Sequence, residues 1–369
     1  MVAGFGAAAL GHGNPDLSRA LHDAASSSRP GIVPWGITAE TGKLAARLCA
    51  RSQKFEKVHF ASSGAEAVDS ALKFAAAVTG RSEFVALSGG FHGLTVAATG
   101  LSAGVWADPY PQIWPNIVHA PSNDYDTIRT VLSKRRAAAI VLEIIQGTGH
   151  AMPLGAESLL RIAEIARSVG TLVIVDEVQT GLGRTGEWFA SSIGGASFAP
   201  DMLILSKALT GGLIPISAVL MTQRVFDAVF ADRARAKIHG STLSGGRLAA
   251  ACATAVIDVL ERDNLVAAVR RKGTLFEARL RALQDRGFVS NFRGKGLLWA
   301  LEISSSQDSG ERLSLASAAC IGLMERGVFT SIAGHDLGSI RVSPPFVITP
   351  EEIEFFFGAL EETMTEILQ

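Results

Sequence analysis

The sequence predicts an α/β fold: a large domain on a mostly parallel central sheet, followed by a smaller α+β C-terminal domain. Three observations carry this. Short β-rich apolar runs alternate with helix-length segments up to about residue 221, an amphipathic helix lies between two of them, and the pattern changes after Leu260. In chain order the strand candidates are "KVHFA" (57–61), "EFVAL" (83–87), "NIVHA" (116–120), "AAIVLE" (138–143), "TLVIVD" (171–176), "MLILS" (202–206) and "ISAVLM" (216–221). Between two of these, "AESLLRIAEIARSVG" places Leu159, Leu160, Ile162, Ile165 and Ala166 near one helical face and stops at Gly170, as a crossover helix does. Beyond Leu260, long charged-apolar helices (265–285, 313–326) flank "GLLWALEI" (296–303) and "SIRVS" (339–343). The final helix opens with Thr349, Pro350 and Glu352, a capping box with proline at the first helical position. The expected domains are 1–255 and 256–369, with residues 1–35 packing near the smaller one.

With 369 residues, 48% hydrophobic and 19% charged, the chain can bury a large core. Its net charge of −1 and the lack of any basic block give no reason to expect nucleic acid or a membrane as partner. Cys49, Cys252 and Cys320 are widely separated in helical-looking apolar stretches, which suits buried thiols in a reducing compartment and neither a disulfide framework nor a metal site. The N-terminal "MVAGFGAAALGHGNP" lacks the charged and apolar regions of a signal peptide, and no uncharged window reaches membrane-spanning length. A soluble, cytoplasmic protein is expected.

The chemistry concentrates at strand ends, where ligands collect in an open α/β sheet. "TLVIVDEVQTGLGRTG" (171–186) ends a buried-looking run in two acids, Asp176 and Glu177, and a buried carboxylate needs a solvated strand end or a cationic partner. "MLILSKALTGG" sets Lys207 in the same kind of place, where desolvation lowers the pKa of an amine and makes it a nucleophile or proton shuttle. Upstream, "HFASSGAEAVDSALKFA" runs from a strand through Ser62, Ser63 and Gly64 into a helix, with Ser63 and Glu66 spaced as a capping box. The first-turn amides of such a helix suit an anion or phosphate. A phosphate cradle, a strand-end lysine and a strand-end aspartate together describe a site for pyridoxal phosphate.

The motifs "SSGAEA" (62–67), "GGFHGLT" (89–95), "VDEVQTGLGRTG" (175–186), "LSKALTGG" (205–212), "HGSTLSGG" (239–246), "FRGKGLLWALE" (292–302) and "IRVSPPF" (340–346) cover nearly the whole chain. In order and spacing the sequence resembles the class III (ornithine, acetylornithine and ω-amino acid) aminotransferases, pyridoxal-phosphate enzymes of fold type I. The resemblance implies that Lys207 forms the internal Schiff base and moves the proton, and that Asp176 keeps the pyridine nitrogen protonated. It further implies Val178 and Phe91 on the two ring faces, Gln179 near the ring hydroxyl, and the Gly64 and Ala65 amides on the phosphate. Thr242 would reach the phosphate of a neighbouring subunit, which implies a homodimer.

Three departures bear on specificity. Leu94 stands where the ornithine, acetylornithine and GABA branches usually carry a carboxylate-clamping arginine. Thr148, in "EIIQGTGH" (143–150), replaces a glutamate that pairs with the arginine equivalent to Arg341, which would leave Arg341 ready for a carboxylate throughout the cycle. The several dozen residues that precede "GFGAAALGHGNP" in the family do not occur in this sequence, so either an excised domain or an open entrance is expected, with Trp35 filling part of that entrance or serving as a packing anchor. The expected activity is that of an ω-type aminotransferase. It would take 2-oxoglutarate or a similar oxo acid through Arg341, and an amine or aldehyde with an apolar chain near Leu94. The alternatives are a pyridoxal-phosphate isomerase or decarboxylase on the same fold, or a non-catalytic dimeric scaffold.

Overall fold

Each of the seven apolar runs becomes a strand of one sheet. In the computed structural model, which describes residues 1–33, 36–110, 116–148, 151–235, 238–303, 306 and 308–368, these are β1 (Lys57–Ala61), β2 (Glu83–Leu87), β3 (Asn116–Ala120), β4 (Ala139–Glu143), β5 (Leu172–Asp176), β6 (Met202–Leu205) and β7 (Ser217–Met221). The helices are α1 (Pro15–Ser26), α2 (Ala39–Ser52), α3 (Gly64–Thr79), α4 (Val96–Ser102), α5 (Tyr125–Arg135), α6 (Ala156–Ser168), α7 (Gln223–Phe230), α8 (Arg247–Arg262), α9 (Leu265–Asp285), α10 (Ser309–Glu325) and α11 (Pro350–Ile367). A second, four-stranded sheet holds β8 (Asn291–Lys295), β9 (Leu298–Glu302), β10 (Ser331–Ile332) and β11 (Ser339–Val342).

The large sheet runs β1-β7-β6-β5-β4-β2-β3, with β7 antiparallel to both its neighbours and every other pairing parallel. Its central strands are buried along their whole length because helices cover both faces. Along β5, Val173 and Val175 join one core with Ile128, Leu132, Leu159 and Ile162, while Leu172 and Ile174 join the other with Val68, Leu72 and Phe74. On α6 the buried residues are Leu159, Ile162, Ala163, Ile165 and Ala166, so Ala163 takes the inward place expected of Leu160, which is turned to solvent. The small sheet is antiparallel, ordered β10-β11-β9-β8, and a third core joins it to α8, α9 and α11.

The caps mostly follow expectation. Thr349 and Glu352 form the full capping box, with Pro350 opening α11. At α3 the box is shifted: the Ser63 side chain accepts from the Glu66 amide at 3.2 Å, but Glu66 Oε2 accepts from the Ser62 amide at 2.8 Å instead of from Ser63. All three cysteines are free thiols, and only Cys252 is buried, Cys49 and Cys320 being half-buried. Residues 255 and 256 fall inside α8, which packs on α1 and α2, and we propose that the passage between the two units lies at Asp263 and Asn264. Two hydrogen bonds tie the N-terminal residues to the stretch after β11: the Ser343 amide donates to Met1 O at 2.8 Å and the Phe346 amide to Ala9 O at 2.7 Å.

Close packing of α9 on the turn between β8 and β9 sets up a test of the fold. A Cβ at Gly273 would lie 2.6 Å from the Gly296 Cα, whereas one at Gly358 in α11 meets nothing within 4 Å. Replacing a helical glycine by alanine ordinarily stabilises by about 1 kcal/mol. Gly358→Ala is expected to raise the melting temperature and Gly273→Ala to lower it, and thermal melts of the two variants that moved in the same direction would contradict this packing.

Candidate active site

The parallel strands deliver their carboxyl ends to one edge of the sheet, and the acids meet there. Glu143 at the end of β4 is in register with Asp176 at the end of β5, and Lys207 follows β6 after one residue, Ser206. Lys207 opens a short 3-10 turn with a left-handed φ of 38°, a costly backbone state for a residue with a side chain. Its Nζ donates to Gln179 Oε1 at 3.0 Å. Gly147 makes room for that contact, since a Cβ there would lie 2.2 Å from the same oxygen. Burial pushes the Lys207 amine down to about 8, helped by the positive charge of Arg341 and opposed by Glu143 and Asp176.

Asp176 is held from two sides. Its Oδ1 accepts from the Val178 amide at 2.9 Å, and its Oδ2 lies 2.8 Å from Nδ1 of the buried His92. Burial opposes a charge on His92, but the hydrogen bond to Asp176 and the charges of Asp176 and Glu143 outweigh it, and its pKa is raised. Glu143 accepts from the Phe91 amide and the Gly147 amide, both at 2.9 Å, while burial raises its pKa. Glu177 points away from this cluster: its two oxygens accept from the Ala190 and Ser191 amides at 2.7 and 2.8 Å and so cap a 3-10 turn. Burial raises its carboxyl from 4.5 to about 7.

A cavity of about 210 Å³ is lined by Gly64, Ala65, Phe91, Asp176, Val178, Gln179 and Lys207 together with His92, Gly93, Glu143 and Ser206. Seven of the residues expected from sequence thus meet in one place. Arg341, on β11, does not line it but is near enough to depress Lys207. Leu94 is not brought to this cavity: it is 62% exposed and lines an apolar cleft with Val96, Val105, Trp106 and Tyr110. Thr242 is exposed and lines a separate surface cleft beside His239 and Ser241. Trp35 lies outside the described residues. His92, Glu143 and Glu177 went unassigned in the sequence, although each sits inside or beside a quoted motif.

Residues 1–364 match the family described as aminotransferase class-III. The chain belongs to that family. It is 33% identical to an ornithine aminotransferase of an Exiguobacterium species over 99% of this chain and 88% of that protein. It is 32% identical to a LysW-aminoadipate semialdehyde transaminase of Deinococcus radiodurans over 99% and 81%. Among solved structures, an amine transaminase from an uncultivated Pseudomonas species in its pyridoxal-phosphate-bound form superposes with a TM-score of 0.88, at 28% identity, over 99% of this chain and 90% of that one. The protein is therefore a pyridoxal-phosphate-dependent aminotransferase of the class III family.

The aminotransferase site fits this cofactor. The amides of Gly64 and Ala65, in the first turn of a helix from Gly64 to Thr79, have no intrahelical acceptor and suit a phosphate. Closeness at Gly64, whose Cβ would lie 3.3 Å from the Val178 methyls, leaves a narrow slot for a flat ring, and Gln179 Nε2 is a buried polar atom without a partner.

Two pH dependences follow. The aminotransferase freed of its cofactor should take pyridoxal phosphate back at a rate that rises through pH 8, as the Lys207 amine loses its proton; a midpoint near 10 would mean that the lysine is not desolvated. For Glu177 the folded pKa exceeds the unfolded one, so its contribution to stability is complete below about 4.5 and is lost as pH rises through about 7. Melting temperatures recorded from pH 4.5 to 8 should therefore fall more steeply for the parent than for Glu177→Gln.

Proposed function

We propose that the enzyme is an ω-type aminotransferase that handles one carboxylate-bearing substrate through Arg341 and one amine or aldehyde whose distal part is uncharged. One observation carries this reading. Arg341 is buried, yet its Nε and Nη2 have no hydrogen-bond partner, and it forms no ion pair with any described residue. A buried cation with unused donors costs free energy unless a ligand supplies the acceptors. Thr148 stands in the same loop as Gln146 and Gly147 and offers no negative charge to Arg341. A dicarboxylate such as glutamate, with 2-oxoglutarate as its oxo acid, matches that vacancy of charge.

Pyridoxal phosphate, when bound, supplies an electron sink and a carbonyl that carries nitrogen between substrates. Asp176, fixed by His92 and the Val178 amide, would keep a proton at the ring nitrogen. Lys207 would hold the cofactor through its neutral amine and would carry the proton to and from the substrate carbon, a task matched to an amine pKa of about 8. Val178 and Phe91 would confine the ring, Gln179 would lie near its hydroxyl, and the Gly64 and Ala65 amides would hold the phosphate. Thr242 is exposed and lines a surface cleft separate from its own cavity, which supports a role at a second copy's phosphate and hence a homodimer. Three free thiols suit the cytoplasm, and among the described residues no helix is long and apolar enough to cross a membrane.

Lys207→Ala is expected to abolish transamination while leaving the melting temperature close to the parent's, since general acid–base catalysis alone contributes about 10²–10⁴-fold. Near-parental turnover would refute the assignment of Lys207. For Arg341→Ala, single-turnover rates of the two half-reactions separate the roles: the dicarboxylate half-reaction should weaken about ten- to a hundredfold or more, from roughly 1.5–3 kcal/mol for a charge-assisted hydrogen bond, and the half-reaction with a simple amine should be spared. Equal losses in both would leave Arg341 a structural residue.

A further inference from the structure

The two unpartnered nitrogens of Arg341, Nε and Nη2, lie on one edge of the guanidinium, the pair that grips a carboxylate side-on. What covers the group is an aromatic ring. The guanidinium carbon lies over Phe5, 5.7 Å from the ring centroid. Phe5 is unusual in two ways, for it is 55% exposed and its backbone is left-handed, at a φ of 57°. Ala3, Gly4 and Gly6 are left-handed as well, at 43°, 58° and 86°.

This turn is anchored at both ends. Within it the Gly6 amide donates to Val2 O at 3.0 Å and the Ala8 amide to Ala3 O at 2.9 Å. Ser343, just beyond Arg341 in the chain, donates through its hydroxyl to Val2 O at 3.0 Å, and Arg184 Nη2 donates to Gly6 O at 3.2 Å. A strained turn, fixed on either side and presenting one ring to one buried cation, is a positioned contact.

We propose that Phe5 is a specificity-determining residue, a cover on Arg341 that lets one site accept an uncharged amine and a carboxylate in turn. The inference rests on the reading of Arg341 as the carboxylate site. An uncharged substrate brought against a bare buried guanidinium would lose hydration without gaining a partner. The ring face, negative by its quadrupole, screens the cation and offers an apolar wall to an aryl or branched alkyl group. A carboxylate competes for the same guanidinium with a full charge and two hydrogen bonds, so it displaces the ring.

The test uses the holoenzyme, benzylamine as the uncharged donor, and glutarate as a dicarboxylate that cannot react. In Phe5→Ala, kcat/KM for benzylamine should fall at least tenfold, while the glutarate Kd, measured by calorimetry, should stay within threefold of the parent's or become tighter. Phe5→Leu keeps an apolar wall without the ring face and should fall between them. Phe5→Gly meets the left-handed backbone without strain, so it should melt no lower than Phe5→Ala and still show the loss with benzylamine; parental kcat/KM in that variant, or a parent that does not use benzylamine, overturns the proposal. A glutarate Kd unmoved by Arg341→Ala overturns instead the carboxylate reading on which it stands.

Discussion

One buried guanidinium holds the parts of this aminotransferase together. Arg184, 1% exposed, lies in the loop that follows Asp176 and donates from Nη1 to Leu297 O and Pro344 O and from Nη2 to Gly6 O. Its guanidinium carbon sits 4.5 Å from the centroid of Phe346, and burial pushes its pKa down to about 9. The charge is solvated by carbonyl oxygens and an aromatic face instead of by an acid. Three chain segments distant in sequence, the N-terminal turn, the turn between β8 and β9, and the stretch after β11, are thereby set against the end of β5. The position of Arg341 relative to Asp176 and Lys207 depends on that arrangement.

Around the cavity, charge is balanced group by group. Asp176 and Glu143 stand side by side at the sheet edge, and Lys207 and Arg341 face them as cations. His92 tempers Asp176, and two backbone amides hold Glu143. The adjacent acids at 176 and 177, the last residue of β5 and the first beyond it, divide the work. Asp176 turns to the cavity, and Glu177 ties the next loop down.

Much of the fold was legible because the central strands are buried on both faces and so read as unbroken apolar runs. The β8 segment "NFRGK" escaped notice: it is an edge strand with charged residues and a glycine, whose pairing with β9 gives no apolar signal. β10 is only two residues long, too short to carry any periodicity. Lys207 and Asp176 were legible as polar residues closing apolar runs. His92 was not, since one loop histidine has no pattern and its meaning depends on a partner 84 residues away. The place of Leu94 was likewise hidden, because the path of the loop after Phe91 decides which cleft it lines. Phe5 offered only two flanking glycines as a hint of a left-handed turn.

The antiparallel insertion of β7 has a consequence for how the protein comes into being. β1, whose end leads into the turn proposed to hold the phosphate, pairs among the described strands with β7 alone, through contacts from Lys57 with Met221 to Ala61 with Ser217. The Ser217 hydroxyl then donates to Ser63 O at 2.7 Å and fixes the start of α3. A nascent chain therefore carries its anion cradle for some 150 residues of further synthesis before the strand that seats it exists. Closing so long a loop is slow relative to the local helices. The cofactor site is expected to be among the last features of the large sheet to form, since it must wait for the last of the seven strands in chain order.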